Sequence, residues 1–163
     1  MSIHQKLNDE LKEAMKTSNE SVKNYTRGLK AKVSEYCVAN KIDRTKLADD
    51  NVLIIVITAH KKSLEKAIEL FGDDEKAKNL IEEYKNEIQF CDKFLPNQND
   101  VAEDVSKVVG LVITYLNVND IKQLGKVIGF VMKHFKDNNK VVDGALVKKL
   151  ATDELIKRGI NGS

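Results

Sequence analysis

Val52-Leu53-Ile54-Ile55-Val56-Ile57 is open to two readings. Six apolar residues in a row, five of them β-branched, suit a strand buried on both faces. The same run suits the first turns of a helix that is buried all round. The flanks favour the helix. Neither Gly nor Pro follows, and apolar residues continue through Ala59, Ala67 and Leu70. Asp49 can open such a helix as its cap, and Gly72 is a natural stop after Phe71. The run is therefore expected to begin the most buried helix of the chain, and the fold class is all-α. It is too short to span a bilayer, so no membrane segment is expected.

Helical spacing extends in both directions from this element. Ser2, with Gln5 three residues on, forms a capping box before Ile3, Leu7, Leu11 and Met15. After the break Thr17-Ser18-Asn19-Glu20, a second helix carries Val22, Tyr25, Leu29, Val33 and Tyr36 and ends near Asn40. Downstream of Gly72, Asp73 or Asp74 caps a fourth helix with Ala77, Leu80, Ile81, Tyr84, Ile88, Cys91 and Leu95 inward. The lone proline, Pro96, ends it. Residues 96–99 read as a hinge, and three shorter helices follow. Asp100 is expected to cap one with Val101, Val105, Val108 and Val112. Asp120 caps the next, with Ile121, Leu124, Val127, Ile128, Val131 and Phe135 inward. Asp143 caps the last, with Leu146, Val147, Leu150 and Leu155. The expected organisation is an N-terminal helical bundle of about four helices (1–95), the hinge at Pro96 (96–99), a compact three-helix C-terminal domain (100–158) and a frayed tail (159–163).

Charge is uneven along this frame. Residues 1–96 hold 17 Lys and Arg against 17 Asp and Glu. Residues 121–149 hold seven Lys against only Asp137 and Asp143, so a polyanion finds its best surface there. The N-terminus has no apolar core of a signal peptide, and a cytoplasmic protein is expected. Cys37 and Cys91 fall on apolar helix faces, as reduced core residues do. His4, His60 and His134 lie on three different predicted helices, without a ligand partner at metal spacing. Acidic pairs such as Asp49-Asp50 sit at helix starts, where they favour the local dipole. No catalytic residue, metal site or cofactor is expected.

One helix carries a peculiarity, Leu124-Gly125-Lys126-Val127-Ile128-Gly129-Phe130-Val131-Met132. Each glycine inside a helix costs about 1 kcal/mol relative to Ala. Four residues apart, Gly125 and Gly129 share a face. Either a neighbouring helix packs tightly against them, or a nucleic-acid backbone approaches there beside Lys122, Lys126 and Lys133. Lys148 and Lys149, on the last helix, complete the candidate RNA-binding set.

Three stretches are similar to the YqeY family, whose domain also forms the tail of the GatB subunit of the tRNA-dependent amidotransferase. Glu87-x-x-x-Cys91-x-x-Phe94-Leu95-Pro96-x-Gln98 resembles the family's E-x-x-x-L-x-x-Y-L-P-x-Q hinge. The glycine helix resembles M-G-K-V-M-G-x-V-M, and Asp143-Gly144-x-Leu146-Val147 resembles D-G-x-L-V. Leu7-Asn8-Asp9-Glu10-Leu11-Lys12-x-Ala14-Met15-Lys16 and Leu29-Lys30-Ala31 also fit. Two departures stand out. The family has a Gly in the turn between its last two motifs, where this chain has the longer Lys136-Asp137-Asn138-Asn139-Lys140-Val141-Val142. Its Arg-rich segment on the third helix is reduced here to His60-Lys61-Lys62.

The resemblance implies an accessory module that contacts tRNA or another structured RNA, with amidotransferase subunits as a further class of partner. The label attached to the family, carbon–nitrogen ligase with glutamine as amide donor, describes the assembled enzyme rather than this module. The alternatives are a protein-interaction module that never touches RNA and, more remotely, a contributor to amide transfer. Aromatics in the C-terminal part are few (Tyr115, Phe130 and Phe135), so base stacking is not expected to dominate.

Overall fold

The structure, a computed structural model, describes residues 1–43, 45 and 49–160. Among them every regular element is helical. The helices are α1 (Ile3–Lys16), α2 (Glu20–Ala39), α3 (Asp50–Phe71), α4 (Lys78–Asp92), α5 (Gln98–Tyr115), α6 (Leu124–Asp137) and α7 (Gly144–Lys157). Short 3-10 turns, Glu75–Ala77 and Ile121–Gln123, lead into α4 and α6. The chain divides into two compact units, Met1–Leu95 and Pro96–Ser163.

The first unit is built around α3, whose Val52, Leu53, Val56 and Ile57 are buried. They share one core with Ile3 and Leu7 of α1, Leu29, Val33 and Cys37 of α2, and Phe90 and Cys91 of α4. The opening run is helix, as its flanks required. The apolar spacing beyond it continues inward through Leu64, not through Ala59 or Leu70, both of which are exposed. Met15, expected inward on α1, also faces solvent, and Ala14 takes the buried place.

The second unit is a three-helix core. Val105, Val109 and Ile113 of α5, Val127, Val131 and Phe135 of α6, and Val147, Ala151 and Leu155 of α7 are all buried in it. Asn97, not Asp100, caps α5: its Oδ1 accepts the Asn99 N–H at 2.9 Å. Gln98 and Asn99 of the expected hinge are therefore already helical. Asn wins the cap because its side chain lies one residue before the first helical turn, where the unpaired amides are.

Five helix ends, those of α1, α2, α5, α6 and α7, share one device. Ser18, Lys41, Asn117, Asn139 and Gly159 have φ of 57°, 54°, 53°, 54° and 75°. After each, the next N–H reaches back over the turn to a helix carbonyl: Ile42 to Cys37 at 2.8 Å, Val118 to Ile113 at 3.2 Å, Lys140 to Phe135 at 2.8 Å. This is the left-handed closure that satisfies terminal carbonyls. Asn139 thus closes α6 without a glycine. The same device corrects the expectation of a tail frayed over 159–163. The Ile160 N–H donates to the Leu155 carbonyl at 2.9 Å, and Ile160 packs on the core. Residues 161–163 lie outside the described residues.

Candidate nucleic-acid interface

α6 is positioned from its first turn. Asp120 Oδ1 accepts the Lys122 N–H at 2.9 Å, and Gln123 Oε1 accepts the Asp120 N–H at 3.2 Å. This reciprocal capping box fixes the rotation of the helix about its axis. Val127, Val131 and Phe135, each four residues apart, then lock one face into the core.

The residues proposed for binding on this helix and on the turn that leads into it lie away from the core row. Lys122, Gly125, Lys126, Gly129 and Lys133 are all exposed. Gly125 and Gly129 stand two residues before Val127 and Val131, about 200° around the axis from the core row. A Cβ built on either glycine meets nothing within 4 Å. The tight-packing explanation of the glycines is thereby overturned, and the register of the core valines is the reason. The glycines leave bare helix backbone facing solvent.

The lysines beside them are uncommitted. In this unit Lys107 pairs with Glu103 at 3.1 Å and Arg158 with Glu154 at 2.9 Å. Among the described residues, the side chains of Lys122, Lys126, Lys133, Lys148 and Lys149 have neither an ion-pair nor a hydrogen-bond partner. Lys122, Lys126 and Lys133 are gathered on the glycine face. Lys148 and Lys149 are exposed on α7, which packs on α6. As neighbours in sequence they point about 100° apart, so they do not form one row with the α6 lysines.

Sequence reasoning passed over two exposed residues of α6. Phe130 is 44% exposed, and His134, one turn further on, is exposed too. Helical phase did not single them out, since His134 follows Val127 by seven residues and lies only about 20° from its direction.

Polar chemistry also occurs inside the first unit. His60 Nε2 lies 2.7 Å from Glu87 Oε1, and Lys61 Nζ lies 2.6 Å from Asp92 Oδ1, both pairs joining α3 to α4. His60 and Lys61 thus serve contacts within the first unit. Burial pushes the neighbouring Cys91 thiol up to about 12, with the Glu87 and Asp92 carboxylates adding to the effect. Among the described residues no group of three or more His, Cys, Asp or Glu side chains is arranged to hold a metal ion. No helix among them is long and apolar enough to cross a membrane.

No curated protein matches the chain by sequence. The family model of the YqeY-like proteins matches residues 4–155, which takes in both units and all three motif stretches. The chain therefore belongs to the YqeY-like protein family.

Proposed function

We propose that this protein is a non-catalytic RNA-binding accessory factor, with tRNA or a similarly structured RNA as its ligand and the outer face of α6 as its principal contact. One observation carries the reading. Three lysines without partners border two glycines whose backbone is open to solvent. A lysine held in an ion pair must give up that pair to bind phosphate, whereas these lysines need not. Glycine lets a sugar–phosphate strand approach the helix more closely than any side chain would allow. Contacts of this kind fix position and supply affinity, but they read no base sequence. A family whose related domain belongs to a tRNA-dependent enzyme is consistent with such a role. In this reading amide transfer from glutamine belongs to an assembled enzyme, and this chain contributes RNA contact.

A filter-binding titration with total tRNA at two salt concentrations tests it. Each lysine–phosphate contact releases counterions, so affinity should fall steeply with salt. Lys126→Ala/Lys133→Ala should weaken binding to all tRNAs about equally and flatten the salt slope by roughly one unit per contact removed. If parent and double variant bind equally weakly, the RNA-binding reading fails. The protein-docking alternative then gains, and Leu111 and Tyr115, one turn apart on α5 and 71% and 81% exposed, are the surface that favours it.

A further inference from the structure

Phe130 gives the α6 face a second property. A phenylalanine left 44% exposed on a helix with a well-filled core is not explained by that core, since Val127, Val131 and Phe135 already supply its inward row. Along α6 its exposed neighbours one turn away are cationic or aromatic. Lys126 lies one turn before it, and Lys133 and His134 lie about one turn after it, all exposed. Positions 126, 130 and 134 recur at steps of four and so form a single row, rising about 6 Å per step. The His134 ring is steadied edge-on against Phe135, with centroids 5.4 Å apart. Asp137, three residues beyond His134, is exposed as well.

We infer that this row holds an unpaired nucleotide of the RNA, its base stacked on Phe130 and its flanking phosphates on Lys126 and Lys133. The inference rests on the RNA-binding reading and narrows its ligand to RNA with a single-stranded segment. The physical reason is the difference between duplex and single strand. A duplex offers lysines its phosphates, but its base faces are hidden within the stack, so Phe130 would stay exposed to water. An unpaired base covers the ring and adds stacking to the charge contacts, whatever its identity. Few aromatics are needed for this, because one ring serves one base.

Fluorescence anisotropy on the full chain separates the two levels of the argument. The probes are a labelled oligouridine and a blunt RNA duplex of the same length, each at low and high salt. The parent should prefer the single strand. Phe130→Ala should weaken single-strand binding by roughly 5- to 150-fold and leave duplex binding unchanged, while Phe130→Tyr retains the platform and the affinity. Lys126→Ala/Lys133→Ala should weaken both. The side chain is half in solvent, so Phe130→Ala should fold, as an unchanged circular dichroism melt would verify. If Phe130→Ala binds the single strand as the parent does, the stacking inference is overturned and the charge-based reading stands. If the parent binds neither RNA, both fall.

Discussion

Gly129→Ala is the substitution on which the description of α6 is most exposed to test. Gly129 lies in the middle of a 14-residue helix, and a Cβ there meets nothing within 4 Å. The variant therefore adds no clash and needs no repacking. What remains is intrinsic propensity, which favours Ala over Gly in an exposed helix interior by about 1 kcal/mol. In a unit of this size, that gain should raise the melting temperature of the second unit by roughly 4–8 °C. In urea, with a slope near 1–3 kcal/mol per molar, the midpoint should move up by about 0.3–1 M. Gly125→Ala, closer to the helix start, should do the same more weakly. Even Gly129→Leu should fold at no cost from overpacking, where a glycine pressed against another helix would lose about 1–3 kcal/mol. Calorimetry and urea titration of the three variants measure this directly. A lower melting temperature for Gly129→Ala would refute the reasoning, because it would mean that the site is filled. The same variant should bind tRNA less well, so stability and function would move in opposite directions.

Lys41 holds a left-handed conformation, φ 54°, in the closure of α2. Lys41→Gly should stabilise the first unit by roughly 0.5–1 kcal/mol in urea titration, since only Gly adopts that region without cost; no gain would argue that the turn relaxes without penalty. Burial, together with the Glu87 and Asp92 carboxylates, raises the Cys91 thiol from its ordinary value near 9 to about 12, so the folded state keeps a proton that the unfolded chain loses. The stability this contributes is whole below pH about 9 and is lost as pH rises towards about 12; Cys91→Ala should show a shallower decline across that window, and identical slopes for parent and variant would count against it. The isolated protein should release no ammonia from glutamine, and turnover abolished by one point substitution within the chain would overturn the non-catalytic reading.

Much of the fold was legible because helix boundaries are set by local chemistry. Ser2, Asp49, Asp120 and Asp143 each cap the helix they were expected to cap, through a side-chain oxygen on a backbone amide. The ambiguous run 52–57 resolved correctly because its flanks contain no strand terminator. Errors arose where three-dimensional phase outweighs composition. Met15 and Leu70 are apolar and nearly in register, yet both fall off the buried stripe. Asp100 has cap chemistry, but Asn97 reaches the unpaired amides first. At the candidate site, i and i+4 spacing already put the glycines of α6 on one face. What spacing alone left open was which way that face points. The offset of two residues between each glycine and the next core valine contained the answer.

Both cysteines, Cys37 and Cys91, are buried in the first unit, and the second unit has none. The chain thus carries its own reporter on one unit only. A thiol-reactive dye added to the native protein should label it no faster than the first unit opens, because both thiols are buried out of its reach. Unfolding confined to the second unit should leave the labelling rate unchanged. Thiol kinetics set beside helix content would therefore show which unit opens first under heat or denaturant, without the introduction of a probe.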